Sequence, residues 1–293
     1  MHEYIDDINI SLENLSLLEK RVQAHDEQKS ALVYELALTI CTYDDDSQTI
    51  SDLIKSATET LSISNTISLC IAVQDICNQK SNNIRLKGVY MPVQEEPVRA
   101  DALNKIAYMK NRYSDEALNI FSSACGINRS FAVNNFTAAC DEVVSGNCEF
   151  ALMPVENSDT GILYSFYSLV ENYELKIHTA CEITDTNDNF KTTRFALLSR
   201  NQASLKLHKN QSQYFEFIYT ETDNVTICNI LTAAKRCGLR LILHNSVPIA
   251  YKTEEYSNHF IFCTDNAKLD AYLLFLSVYT PLYTSLGIYT KLK

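Results

Sequence analysis

The sequence has little of what marks membrane, secreted or nucleic-acid-binding proteins. No apolar run is long enough to span a bilayer, and the first residues, M-H-E-Y-I-D-D, are acidic where a signal peptide is basic. The 25 Lys and Arg residues are outnumbered by 36 Asp and Glu, which gives a formal charge of −11. That balance excludes the basic face that nucleic acid or an anionic membrane requires. We therefore expect a cytoplasmic protein with no nucleic-acid and no membrane partner.

The cysteines and histidines also lack the spacing of a metal site. None of the ten cysteines stands in a C-x-x-C pair, and the six histidines form no H-x-x-x-H pair. Most of the cysteines lie in apolar periodic segments such as T-I-S-L-C-I-A-V, which is typical of reduced, buried thiols. The sequence therefore predicts no metal, no cofactor and no disulfide framework.

The first 85 residues have a helical pattern. Residues 5–40 contain no glycine or proline and carry apolar side chains on a helical period, which predicts one long helix. Ser47 can cap a second helix, and Asn65 or Thr66 can cap a third. We expect a helical bundle over residues 1–85.

The rest of the chain changes pattern twice. Residues 86–103 hold two of the five prolines and show no clear period, so we interpret them as a linker. Strands and helices alternate in βαβαβ order over residues 104–200, which favours a mainly parallel sheet with ligands at the carboxyl ends of its strands. Residues 210–293 have the order βαββαβ of a ferredoxin-like unit. The expected fold class is a multidomain protein with α and α/β parts.

Residues 151–170, A-L-M-P-V-E-N-S-D-T-G-I-L-Y-S-F-Y-S-L-V, are the most informative stretch. A strand over residues 150–153 is expected to end at Pro154, and three hydrogen-bonding side chains follow: Glu156, Asn157 and Ser158. A helix is then expected, capped by Ser158, Asp159 or Thr160. Free N–H groups at its start would attract a carboxylate or phosphate. The alternative is that these polar residues only cap the helix.

Several motifs together resemble one enzyme family. P-V-E-N-S-D-T-G resembles the prephenate dehydratase motif of Pro, an aliphatic residue and Glu-Asn-Ser, and K-T-T-R-F-A-L-L at residues 191–198 resembles that family's Asn-x-Thr-Arg-Phe strand. S-L-G-I-Y at residues 285–289 is similar to the end of its C-terminal ACT domain. The helical segment in front is similar to the chorismate mutase of bifunctional P-proteins.

The resemblance implies a fold, a reaction and a set of site residues. The α/β part would be one lobe of a periplasmic-binding-protein-like dehydratase, and the C-terminal part an ACT domain. Thr193 would assist loss of the prephenate hydroxyl, while Glu156 and Asn157 would position the substrate. Further substrate contacts would come from Ser158, Arg194 and Ser114. Prephenate or phenylalanine is the implied ligand, and a homodimer the implied assembly.

The sequence also departs from that family. Residues 184–189 are too short for the second lobe that closes over the substrate, and its Ser-His-Pro-Gln segment is absent. The loop at residues 108–114 lacks the glycines that let backbone approach substrate. Residues 1–85 carry fourteen acidic residues against six Lys and Arg, a poor match for a mutase that binds dianionic chorismate. The ACT-like segment lacks the glycine and arginine of phenylalanine-binding members.

These departures favour a degenerate P-protein-like chain. The leading hypothesis is a non-catalytic or regulatory relative of the phenylalanine-branch enzymes, which acts by oligomerisation or by weak binding of an aromatic ligand. The alternative is residual prephenate dehydratase or chorismate mutase activity, with the cleft completed by a partner chain. Glycine near Lys110 and a second set of polar donors would indicate an active enzyme, and neither is found.

Overall fold

A computed structural model describes most of the chain. The described residues are 2–43, 47–79, 103–158, 161–185, 191–200, 211–220, 224–248 and 256–292. The predicted linker over residues 86–103 lies almost wholly outside them. The chain divides into two compact units, Met1–Pro92 with Lys268–Pro281, and Val93–Ala267 with Leu282–Lys293. The domain boundaries predicted at residues 1–85, 104–200 and 210–293 stay predictions.

Eight helices and ten strands form within the described residues. The helices are α1 (His2–Tyr43), α2 (Ser47–Thr58), α3 (Ile63–Gln79), α4 (Arg112–Cys125), α5 (Phe136–Val144), α6 (Tyr164–Asn172), α7 (Asn224–Arg236) and α8 (Leu269–Tyr279). The strands are β1 (Lys105–Met109), β2 (Arg129–Val133), β3 (Phe150–Asn157), β4 (Gly161–Ile162), β5 (Lys176–Asp185), β6 (Lys191–Ser199), β7 (Gln213–Thr220), β8 (Arg240–Pro248), β9 (Tyr256–Cys263) and β10 (Thr284–Lys291).

The first unit contains helices α1, α2, α3 and α8. Helix α3 begins at Ile63, so the expected caps at Asn65 and Thr66 lie inside its first turn. Ser62 takes that role instead, because its Oγ atom accepts the Asn65 N–H at 3.4 Å. Helix α8 packs on α2 and α3 and is apolar on all sides, as expected for a helix that is buried within its unit.

Two side chains of α3 hold the start of α8. The Ala271 N–H of α8 donates to Oε1 of Gln74 at 3.2 Å, and no side chain of α8 itself caps that end. Lys268 pairs with both carboxylate oxygens of Asp75, at 2.6 and 2.8 Å. A helix from the C-terminal part of the chain is thereby completed by residues from the N-terminal part.

The second unit is built on one mixed sheet. Its strands lie in the order β2-β1-β3-β6-β5-β10-β7-β9-β8, and β4 pairs with β3 beside this path. Strands β1, β2 and β3 are parallel, as is the β5–β10 pair, whereas β6 is antiparallel to both of its neighbours. The expectation of a mainly parallel sheet is therefore wrong. Strand β6 follows β5 after only residues 186–190, and so short a connection joins antiparallel strands.

Helices cover both faces of the α/β part of the sheet. Ala151 and Met153 of β3 face the cluster that includes Phe166 of α6, whereas Phe150 and Leu152 face the cluster that includes residues of α4. This alternation is the period of two that a strand buried on both faces shows. The central strands are thus buried on both faces.

A close backbone approach joins the α/β part to the C-terminal strands. Gly287 of β10 has φ +136°, and a Cβ atom there would lie 2.6 Å from the Ile177 carbonyl oxygen of β5. Thr179 Oγ1 donates to the Thr290 carbonyl at 2.9 Å, and Lys176 Nζ donates to the Ser285 carbonyl at 2.5 Å. These contacts let β5 and β10 pair, so the two parts share one sheet.

Within the part of the chain that the structure describes, no helix combines the length and the apolar composition that crossing a membrane requires.

Candidate functional site

Polar side chains gather where β3 and β5 end and β6 begins. The group consists of Glu156, Asn157, Ser158, Asp185, Thr192 and Thr193, and we call it the polar edge. Strand β6 is antiparallel to β3 and β5, so its first residues meet their last residues. In register, Glu156 faces Arg194 and Asn157 faces Thr193. The structure therefore brings together four residues that the sequence singled out separately.

Strand β3 extends further than expected. The strand continues through Pro154 to Asn157, with a register shift between Pro154 and Glu156. A bulge accommodates a proline that cannot donate a ladder hydrogen bond. Helix α6 begins at Tyr164, and its N-cap residue Leu163 makes no side-chain cap.

The expected helix cap is therefore wrong for Ser158. Its backbone N–H donates to the Thr192 carbonyl at 2.8 Å, and its Oγ accepts the Thr192 N–H at 3.1 Å. Asp159 and Thr160, the other expected caps, lie outside the described residues. Ser158 extends the pairing of β3 with β6 instead of starting a helix.

Arg194 is buried in an ion pair with Glu216 of β7. Its Nη1 atom donates to Glu216 Oε2 at 2.9 Å and its Nη2 atom to Oε1 at 3.2 Å. Nη1 also donates to the Tyr289 hydroxyl at 2.9 Å, and Nε lies 3.3 Å from Glu156 Oε1. Only 5% of the Arg194 side chain is exposed. This guanidinium is occupied by protein groups on three sides.

Glu216 has no exposed surface and receives several donors. The Tyr289 hydroxyl donates to Oε2 at 2.5 Å, and His259 Nε2 donates to Oε1 at 2.8 Å. Burial by itself raises the pKa of Glu216, but the Arg194 guanidinium and the His259 hydrogen bond outweigh it and hold that pKa well below its usual range. The carboxylate is thus ionised inside the protein.

Helix α6 contributes Tyr167 to the same network. Its hydroxyl lies 3.4 Å from Glu216 Oε1 and 3.2 Å from His259 Nε2. Burial, reinforced by the Glu216 charge, raises the pKa of Tyr167 and of Tyr289 well above the usual range. Both phenols therefore stay protonated and available as donors.

The sequence analysis missed Glu216, His259, Tyr167 and Tyr289. One signal was present: Glu216 is the single charged residue in the apolar, aromatic strand Y-F-E-F-I-Y. A charge in such a strand requires a buried partner. The sequence alone does not say which of the distant cations supplies it.

Ser114 lies in a helix start, away from solvent. Helix α4 begins at Arg112, and Asn111 is its N-cap, since the Asn111 Oδ1 atom accepts the Ser114 N–H at 2.9 Å. Asn111 Nδ2 donates to Ser114 Oγ at 2.9 Å, and Ser114 is 1% exposed. Its hydroxyl is committed to this cap.

Asp185 is a member of the polar edge that the sequence analysis did not single out. Its Oδ2 atom accepts the Tyr113 hydroxyl at 2.6 Å and lies 3.9 Å from the exposed Arg112 guanidinium. This buried carboxylate stands at the end of β5, which lies on the other side of β6 from the strand of Glu156. Among the described residues, no group of three His, Cys, Asp or Glu side chains is arranged to hold a metal ion.

Comparison with known proteins identifies the fold. No protein-family model matches the chain, and no curated protein sequence matches it. Among solved structures, a prephenate dehydratase from Streptococcus mutans superposes with a TM-score of 0.53 at 20% identity, over 64% of this chain and 99% of that one. The matching part has the prephenate dehydratase fold.

The prephenate dehydratase fold is not tied to one activity. GqqA, described as a novel type of quorum quenching acylase, superposes with a TM-score of 0.50 at 20% identity, over 64% of this chain and 95% of that one. At such identities the likeness concerns the fold only.

Proposed function

We propose that this protein is a non-catalytic or regulatory relative of the phenylalanine-branch enzymes. It binds an aromatic carboxylate such as prephenate or phenylalanine weakly at the polar edge and does not convert it as a single chain. One observation carries the proposal. Arg194, which follows Thr193 in β6, has both Nη atoms engaged by Glu216.

Charge balance argues against tight binding of prephenate. Prephenate is a dianion, and its two carboxylates need cations that are not already paired. Glu156 and Glu216 flank Arg194, so this guanidinium already faces two carboxylates of the protein. Weak binding of a monocarboxylate fits this electrostatic setting better.

Exposure argues against turnover. Loss of the prephenate hydroxyl needs a proton donor in a site that excludes water. Ser158 is exposed, and 30% of the Glu156 side chain is open to solvent. An open edge can hold a ligand reversibly, but it does not remove water from Thr193.

The C-terminal part supports a regulatory role. Its elements β7, α7, β8, β9, α8 and β10 follow along the chain in the βαββαβ order of ACT domains, and α8 packs on α2 and α3 of the first unit. Its strands continue the sheet that carries the polar edge. We propose that this part is an ACT-like regulatory module.

The alternative is a dehydratase completed by a second chain. Thr193, Asn157 and Glu156 lie at one edge, which a partner could cover. A homodimer is favoured by helix α1, where Leu15, Leu18 and Val22 are each more than half exposed. Such apolar surface on a helix commonly marks an interface.

Isothermal titration calorimetry tests the binding proposal. Prephenate and phenylalanine are titrated into the protein and into Asn157→Ala, with Glu149→Gln as a matched control outside the polar edge. We expect weak binding that Asn157→Ala reduces and Glu149→Gln leaves unchanged. Absence of binding by either ligand, or binding that Asn157→Ala does not alter, would contradict the proposal.

A further inference from the structure

The Arg194 guanidinium is shared between two carboxylates of different burial. Glu216, on β7, is fully buried and takes both Nη atoms. Glu156, on β3, is partly exposed and faces the remaining Nε atom at 3.3 Å. The cation therefore links the buried C-terminal strands to the polar edge.

The bidentate contact fixes the direction of the whole guanidinium. A planar fork held at both Nη atoms has no free rotation, so its Nε–H points in one direction. Glu156 Oε1 lies 3.3 Å from Nε, within ion-pair distance, but Nε makes no directed hydrogen bond to it. The Tyr289 hydroxyl bonds both Arg194 and Glu216, which further restricts the pair.

We propose that Glu216 is a positioning residue of the polar edge and acts through Arg194. It holds the guanidinium so that Nε faces Glu156 at ion-pair distance, and it cancels the charge that Arg194 would otherwise present to a ligand. This inference deepens the proposed function, since it rests on the polar edge being the binding site. It assigns the C-terminal strands a role in anion selectivity.

The remaining contacts of Glu216 favour this role over that of a lone ion pair. His259 of β9 and Tyr167 of α6 both reach its Oε1 atom. Helix α6 follows β3 and β4 in the chain. Through Tyr167 and Arg194, the Glu216 carboxylate therefore contacts both the helix after β3 and strand β6. Loss of Glu216 would free Arg194 to turn towards Glu156.

Unfolding equilibria test the linkage without any ligand. Glu156→Gln is measured in the parent protein and in Glu216→Gln. In the parent, we expect Glu156→Gln to have a small effect on the unfolding equilibrium, because Arg194 stays paired with Glu216. In the Glu216→Gln background, Glu156→Gln leaves the buried Arg194 guanidinium without a carboxylate. We expect Glu156→Gln to lower the folding equilibrium constant at least fivefold more there than in the parent. The added effect should vanish in an Arg194→Met background. Glu149→Gln serves as the control, and its effect on the unfolding equilibrium should be additive with that of Glu216→Gln.

Ligand selectivity tests the charge assignment. The probes are 3-phenylpropanoate and its neutral amide, which share shape and differ in charge. In Glu216→Gln the affinity for the acid relative to the amide should rise at least threefold. Glu216→Asp, which keeps the charge, should restore the parent ratio. If Glu216→Gln does not fold, Tyr289→Phe is expected to shift the ratio in the same direction by less.

The outcomes separate this inference from the proposed function. Additive unfolding effects of Glu156→Gln and Glu216→Gln would overturn the inference, and so would an unchanged ratio in a protein that binds the acid. Coupled unfolding effects with no binding of either probe would leave the positioning role standing and remove the proposed function.

Discussion

Arg194 and Glu216 lie 22 residues apart in the chain and meet in a buried bidentate ion pair, with nitrogen-to-oxygen distances of 2.9 and 3.2 Å. Arg194 belongs to the strand that enters the polar edge, and Glu216 to the first strand of the C-terminal part. A charge pair placed there ties the site to the strands behind it. It also removes the cation that a substrate carboxylate would need.

Truncation of one partner of this pair should be costly. Glu216→Ala leaves a buried guanidinium without its main counter-charge, and we expect it to lower the unfolding free energy by about 3–5 kcal/mol. The double replacement Arg194→Met with Glu216→Leu should cost less than either single truncation, because no unpaired charge remains. Urea denaturation measures all three. Equal, additive losses would show that the pair is not coupled.

The depressed pKa of Glu216 predicts sensitivity to acid. Its folded-state pKa lies below the usual value of about 4.3, so the stabilisation is fully present above that pH and is lost as the pH falls below it. The unfolding free energy should therefore fall less steeply between about pH 4 and pH 3 in Glu216→Gln, by up to about 1.4 kcal/mol per pH unit. Denaturation series at fixed pH values, with Glu149→Gln as the reference variant, measure this slope. A slope identical in both variants would contradict the assignment.

Gly287 should resist substitution. Any Cβ atom there meets the Ile177 carbonyl at 2.6 Å, and φ +136° is unfavourable for other residues. Gly287→Ala is expected to cost at least about 2 kcal/mol. Gly126→Ala is the matched control: Gly126 has φ +69° with no atom within 4 Å of a Cβ, so its cost should stay near 1 kcal/mol. Thermal unfolding ranks the two, and an equal cost would mean that the β5–β10 approach is looser than described.

The cysteines should differ sharply in reactivity. Burial raises the pKa of Cys125 and Cys148 to about 11 and that of Cys140 and Cys181 to about 12, whereas Cys228 is exposed. Because the thiolate is the reactive form, iodoacetamide at pH 8 should label Cys228 first in the folded protein. Peptide mass spectrometry identifies the site. Early labelling of Cys140 or Cys181 would indicate that the core around them opens readily.

Local sequence patterns predicted most of the helices and strands. The glycine-free helical period predicted the long α1, and apolar runs predicted the strands of the α/β part. The prediction that β3 ends at Pro154 was wrong, because a bulge lets the strand continue past it. The helix predicted at residues 164–171 is confirmed as α6, although none of its expected capping residues lies at its start. The direction of β6 depended on strand pairing, which a local pattern does not encode.

Only part of the candidate site could be predicted from the sequence. Glu156, Asn157, Ser158 and Thr193 were found by motif, and strand pairing brings them together. The buried contacts of Arg194 could not be predicted from the sequence, because its partners Glu216 and Tyr289 lie on strands that are remote in the chain. A charged residue in an aromatic strand signals that a partner exists, whereas only the fold identifies it.

The most direct test of the account is turnover by the purified chain. Phenylpyruvate formation from prephenate and loss of chorismate are followed with the protein, with Thr193→Ala and with Glu149→Gln as a folded control. The account predicts no turnover above background in any of them, because Arg194 is already paired and Thr193 lies at an open edge. Phenylpyruvate formation that Thr193→Ala abolishes and Glu149→Gln retains would contradict it and show that Thr193 works in a cleft completed by a second chain.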